Sequence, residues 1–370
     1  MSGLSHHLRE LIAQEGPLTL ERFMALALGH PTMGYYMTRD PLGLEGDFTT
    51  APEISQMFGE LIGLWAAEIW VAMGGPQPLR LVELGPGRGT LMQDALRAAS
   101  VVPAFAGAID VHLVETSPTL RQVQKNTLAR SGAPLSWHGS LETIPPGPAI
   151  VIANEFFDAL PVRHYVKNEG AWRERLVGLD NHGRFIFGLS RLAEPSIRAE
   201  APEGAVIEIC PAGQQVMNAL ATRLAAQGGA ALIIDYGYTQ TALGETLQAL
   251  KGHRFVDPLA EPGEADLTAH VDFAALARAA RAAGAKVHGP ITQGVLLTGL
   301  GIFDRARALS RRADAAQTAQ ISAALKRLAS SQARIEVEGG EVDGMGSLFK
   351  ALCVTAPDLA PPPGFETASP

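Results

Sequence analysis

The sequence predicts an α/β fold, a doubly wound sheet whose ligand crevice lies at the carboxyl ends of its strands. Three stretches carry that prediction. Leu81, Val82 and Leu84 form an apolar run of strand type ending in the turn Gly85-Pro86-Gly87-Arg88-Gly89, and a helix is predicted from Thr90 to Ala99. One unit later, Asp110 to Glu115 reads as a second strand, and Ser117-Pro118 supplies an N-cap followed by proline at the first helical position. Further on, Ala149 to Ala153 and Ala231 to Tyr238 read as the fourth and fifth strands.

The other elements follow in order. Residues 1–75 read as a helical region, with Leu8, Leu11 and Ile12 on one helix and Phe23, Met24 and Leu26 on the next. The polar loop Gly46-Asp47-Phe48-Thr49 is expected to cover a cofactor, through Asp47 and Thr49. Thr50 and Glu53 have capping-box spacing, and Ile54, Met57, Phe58, Leu61, Ile62 and Trp65 stripe a helix that Gly74-Gly75-Pro76 stops. Residues 76–360 are expected to form the core domain. Within it Pro134 to His138 is the third strand, Gly213 to Gln227 a helix, His270-Val271-Asp272-Phe273 a helix start, Ile302 to Ala333 helical, and Ser347 to Thr355 the closing strand. Residues 162–209 alternate short strands with turns, a β-rich insertion expected over the active edge, where Tyr165, Trp172 and Phe185 offer a platform for an extended protein segment. The proline-rich tail, 361–370, is expected to be disordered.

Composition narrows the class. The chain of 370 residues, 46% hydrophobic, can bury a large core, and no stretch is long and apolar enough to span a membrane. The amino terminus carries acids, unlike a targeting peptide, and Cys210 and Cys353 sit in apolar contexts that suit a reducing compartment, so a cytoplasmic location is expected. A formal net charge of −8 argues against a nucleic-acid surface. The histidines are scattered without ligand spacing, so no metal is expected.

The glycine turn has the form E-x-G-x-G-x-G, with Glu83 two residues before Gly85, whereas a dinucleotide fingerprint needs G-x-G-x-x-G. The pattern resembles the first motif of class I S-adenosylmethionine (AdoMet) methyltransferases. Glu115, at a strand tip, can accept from both hydroxyls of an adenosyl ribose, a role shared by AdoMet and NAD enzymes. After the fourth strand, Asn154-Glu155-Phe156-Phe157-Asp158 places two carboxylates and an amide at the active edge of the sheet. Glu155 and Asp158, with Asn154, are the candidate catalytic residues.

Six blocks stand in order along most of the chain: GDFTTAPEISQMFGELIG (46–63), LVELGPGRGTLMQD (81–94), VETSP (114–118), NEFFDALPV (154–162), IDYGY (234–238) and HVDF (270–273). Together they resemble the MidA family of class I AdoMet methyltransferases, which includes a mitochondrial complex I assembly factor that is a protein arginine methyltransferase. The resemblance implies a seven-stranded Rossmann-like core with a helical amino-terminal region. It also implies AdoMet as cofactor, held by Glu83, Gly85, Pro86, Gly87, Gly89 and Glu115. The implied reaction is symmetric dimethylation of an arginine in a protein, a subunit of the respiratory NADH dehydrogenase. Two other readings use the same residues: a non-catalytic AdoMet-binding assembly factor, and an NAD-dependent oxidoreductase, against which the glycine spacing counts.

Overall fold

The computed structural model describes residues 3–38, 50–337 and 340–366. They form two compact units. The first comprises Thr49–Phe157, Val216–Thr239 and Val271–Pro370 and is built on one sheet. Its main strands are β1 (Leu79–Leu84), β2 (Ile109–Val114), β3 (Leu135–His138), β4 (Ala149–Asn154), β5 (Gly229–Tyr238), β6 (Lys286–Thr292) and β7 (Phe349–Thr355). Across the sheet they run β6-β7-β5-β4-β1-β2-β3, and the short strand Val271–Asp272 pairs with β5. Only β7 opposes its neighbours; the other pairings are parallel. Strand β4, Ala-Ile-Val-Ile-Ala-Asn, is buried along its whole length, as a parallel strand covered on both faces must be. The order reverses between β1 and β4, which opens a crevice outside their carboxyl ends. The doubly wound fold expected from the sequence is the fold observed.

Helices α1 (Gln56–Ala72), α2 (Thr90–Ala99) and α3 (Pro118–Thr127) belong to this unit. A Cβ at Gly63 of α1 would lie 2.4 Å from the Ala95 carbonyl oxygen of α2, so a glycine there lets the two backbones touch. The capping box expected at Thr50 and Glu53 is not formed. Thr50 makes no side-chain cap bond, the first helix ends at Ile54, and Ser55 restarts the chain by accepting from the Met57 N–H. Glu53 instead accepts from the Thr90 hydroxyl at the head of α2. Strand β6 was not foreseen, because Gly289-Pro290 and a register shift between His288 and Ile291 break its pattern. Proline is tolerated there because β6 is the sheet's edge. The tail is also corrected as far as Glu366: Phe365 is 1% exposed and sits in the core cluster with Leu296 and Ile302.

The second unit comprises Met1–Phe48, Asp158–Gln215 and Gln240–His270. The helical region expected over 1–75 therefore divides, since helices Gly3–Glu15 and Leu20–Gly29 share a core with strands of the insertion while α1 does not. Those strands are Arg163–Asn168, Ala171–Leu179, Phe185–Ala193 and Val206–Ile209, all antiparallel, and Leu18–Thr19 adds to Ala171–Leu179. The aromatic platform is not presented. Tyr165, Trp172 and Phe185 are 4%, 2% and 8% exposed, because each lies inward on its pleat; the exposed apolar side chains are Ile186, Phe187, Leu189 and Leu192.

Candidate active site

Strand β1 hands directly to the glycine turn, where Gly85, Gly87 and Gly89 have φ of 62°, 53° and 83°. All three lie in the left-handed region that side chains disfavour. The turn is tied down by the Gly89 N–H donating to the Pro86 carbonyl and the Gly85 N–H donating to that of Val114. A Cβ on Gly85 would stand 2.9 Å from Phe156 Cδ2, so this glycine also makes room for the loop after β4. Glu83 is buried on β1, and burial pushes its carboxyl up to about 8. Its Oε2 has no hydrogen-bond partner among the described residues.

Glu115 follows β2 and is 8% exposed. Its Oε1 accepts from the Ser117 N–H at 2.7 Å and its Oε2 from Gln124 Nε2 at 3.1 Å. Arg121 Nε donates to its backbone carbonyl at 2.7 Å. Burial raises the carboxyl, opposed by the bonds from Ser117 and Gln124. A carboxylate has about four acceptor sites, so Ser117, Gln124 and the Thr116 backbone, which also bonds it, leave capacity for a ligand hydroxyl. The predicted cap is present: the Ser117 side chain accepts from the Leu120 N–H, with Pro118 at the helix start. Sequence reasoning passed over Gln124 and Trp137, which complete this corner. Gln124 is fully buried, and its Oε1 accepts from Trp137 Nε1 at 2.9 Å. The signal was there: Leu120, Gln124 and Leu128 form an i, i+4, i+8 row, and an amide in an otherwise apolar row asks for a buried partner.

The loop after β4 is fixed from β5. Asp235, fully buried, accepts at Oδ2 from the Phe156 and Phe157 N–H groups at 3.2 and 3.0 Å, and at Oδ1 from its neighbour's N–H. Glu155 is held at φ 50°, uncommon for a residue with a side chain. Its Oε1 accepts from the Ala51 N–H at 3.0 Å and from Asn154 Nδ2 at 3.1 Å. The structure thus brings Asn154 and Glu155 together, and through Phe156 it sets their loop against Gly85. Asn154 Oδ1 has no partner among the described residues. Asp158 belongs to the other unit. There it is 7% exposed, and its carbonyl accepts from the Ala269 N–H. In that unit the Tyr36 hydroxyl donates to Asp266, and burial, then the charges of Asp266 and Asp158, hold Tyr36 well above its usual range. Asp47 and Thr49 lie outside the described residues. Asp272 caps the helix Phe273–Ala282 by accepting from the Ala275 N–H.

The residues fit AdoMet: three left-handed glycines clear a cradle, a buried carboxyl oxygen on β1 lacks a partner, and an oriented carboxylate stands at the tip of β2. Comparison with known proteins agrees. A family described as "Putative S-adenosyl-L-methionine-dependent methyltransferase" matches residues 61–291. The chain belongs to that methyltransferase family. The methyltransferase is 41% identical over 343 residues to "Protein arginine methyltransferase NDUFAF7, mitochondrial" of Danio rerio, covering 85% of this chain and 80% of that protein. It is 39% identical over 330 residues to the Homo sapiens protein of that name, covering 82% and 74%. A Burkholderia thailandensis protein crystallised with S-adenosyl-homocysteine superposes with a TM-score of 0.82 at 28% identity, over 99% of this chain and 93% of its own. The MidA resemblance and AdoMet as the cofactor stand, and the NAD-dependent alternative falls. The cytoplasmic expectation is corrected by relatives that are named mitochondrial. Its premise was too coarse, because free thiols mark a reducing compartment and do not say which one; Cys210 and Cys353 are indeed both free. Among the described residues no helix is long and apolar enough to cross a membrane.

Proposed function

We propose that this methyltransferase is a protein arginine N-methyltransferase whose product is symmetric dimethylarginine in an NADH dehydrogenase (complex I) subunit. The observation that carries the reading is Glu155, a carboxylate clamped by the Ala51 N–H and the Asn154 amide on a loop packed against the glycine turn. The names of the relatives support it, being those of protein arginine methyltransferases.

When bound, AdoMet supplies a methyl group on a sulfonium sulfur. Gly85, Pro86, Gly87 and Gly89, with Glu83, hold the methionine end, and Glu115 holds the ribose. Glu155 accepts from the substrate guanidinium and draws charge toward one nitrogen, which concentrates electron density on the nitrogen that attacks. Methylation of a guanidinium nitrogen releases one proton, and the Glu155 carboxylate is the base assigned to take it. The orphaned Asn154 Oδ1 is a second acceptor for the guanidinium N–H groups. Asp158 keeps its assignment to the acceptor from its sequence spacing alone.

The test is transfer of labelled methyl from AdoMet into proteins of an extract lacking this chain, followed by mass spectrometry of arginine. Dimethylarginine appearing in one complex I subunit with the wild type, and not with Glu155→Gln, is the expected result. Cofactor binding with no protein methylation would make the chain a binding-only assembly factor.

A further inference from the structure

The Gln124 side chain touches both the glycine turn and Glu115. From the seventh position of α3, its Nε2 donates to the Gly87 carbonyl at 2.8 Å and to Glu115 Oε2 at 3.1 Å, while its Oε1 accepts from Trp137 Nε1 on β3 at 2.9 Å. The three partners come from three successive parallel strands: Gly87 and Glu115 just after β1 and β2, and Trp137 on β3. The side chain is fully buried, and an amide so placed uses three of its four bonding capacities. Trp137 removes the ambiguity of the amide: an indole N–H only donates, so the atom it meets is the oxygen, and Nε2 must face Gly87 and Glu115.

Each bond has a directional consequence. The peptide between Gly87 and Arg88 is planar and trans, so a carbonyl pointing at Gln124 sends the Arg88 N–H to the opposite side. The bond to Oε2, with the Ser117 N–H on Oε1, fixes the plane of the Glu115 carboxylate. We propose that Gln124 is a positioning residue that couples the two halves of the cofactor site, setting the turn that meets the methionine end and the carboxylate that meets the ribose in one register. This rests on the assignment of the glycine turn and Glu115 to AdoMet. An apolar side chain of the same length fills the space and leaves each half free to reorient alone.

Two variants of the full chain test it, with AdoMet binding read by calorimetry and folding by circular dichroism. Gln124→Met removes all three bonds at nearly constant volume and is expected to weaken AdoMet at least tenfold at neutral pH in a folded protein. Gln124→Glu sets a second carboxyl beside Glu115. Two such groups hold one proton between them at low pH and repel when both ionise. The one shared proton keeps the bond to Glu115 and leaves none for the Gly87 carbonyl, so this variant is expected to bind more weakly than wild type at pH 5, and its deficit relative to wild type at the same pH is expected to grow at least tenfold by pH 8. A simple packing role would lower the melting temperature and leave these affinities and the pH profile unchanged, and that outcome overturns the proposal. Failure of wild type itself to bind AdoMet overturns the site assignment, and the proposal with it.

Discussion

Ala51 and Glu155 are joined by a 3.0 Å hydrogen bond from a backbone amide to Oε1, across 104 residues of chain. That bond makes Glu155→Gln a clean probe, because the glutamine carbonyl can still accept from Ala51 while the charge is gone. A charge-assisted hydrogen bond is worth roughly 1.5 to 3 kcal/mol. The variant is expected to lose one to two decades of turnover and to retain AdoMet affinity. Calorimetry beside single-turnover rates checks this; a parallel fall in both would assign Glu155 to the cofactor.

Gly87→Val should abolish AdoMet binding in a folded chain. At φ 53° a β-branched residue costs about 1–2 kcal/mol, against a typical stability of about 5–15 kcal/mol. The fold therefore survives while the turn is forced into another conformation and the cradle fills. Wild-type affinity in a variant with an unchanged circular dichroism spectrum would remove the glycine turn from the cofactor site.

Glu83 makes stability fall with pH. Its folded value of about 8 stands above the ordinary 4.5, so between these values the folded chain holds a proton that the unfolded chain has released. Stability is then lost as pH rises through that window, by up to about 1.4 kcal/mol per unit. Glu83→Gln keeps a neutral side chain of similar shape and should remove the slope. Thermal melts are expected to show a higher midpoint than wild type at pH 8 and a near-equal one at pH 5.

Gly63→Ala sets two effects against each other. Alanine gains about 1 kcal/mol of helix propensity over glycine. The new Cβ would press on the Ala95 carbonyl at 2.4 Å, and overpacking costs about 1–3 kcal/mol. Backbone on the far side gives little, so the net should be destabilising, read as a lower denaturation midpoint in urea. A midpoint at or above wild type would mean that α1 and α2 separate without loss.

The sequence made legible whatever is local. Strand, turn and helix at 79–99 follow from an apolar run, three glycines and a helix former, and the observed helix has the expected ends. Ser117 caps as its sequence context says. The misreadings are non-local. Glu53 has capping-box spacing to Thr50, yet its carboxylate goes to Thr90, 37 residues on. Tyr165, Trp172 and Phe185 lie among charged residues, but all three are buried: Phe185 packs into a core shared with the amino-terminal helices, and Trp172 donates its indole N–H to the Ala199 carbonyl. The Gln124 corner draws on Gly87 and Trp137, whose relation to α3 no spacing rule encodes.

Asp235 carries a consequence for biosynthesis. Its Oδ2 shapes the loop at Phe157, 78 residues earlier. A nascent chain that has emerged only as far as Gly228 can contain β1 to β4 and the glycine turn, yet nothing in it can accept those two loop amides as Asp235 does. The loop bearing Glu155 can therefore take its final form only after β5 has left the ribosome and entered the sheet. With Glu155 in its proposed role, competence for methyl transfer arrives late in synthesis, well after the glycine turn has been translated.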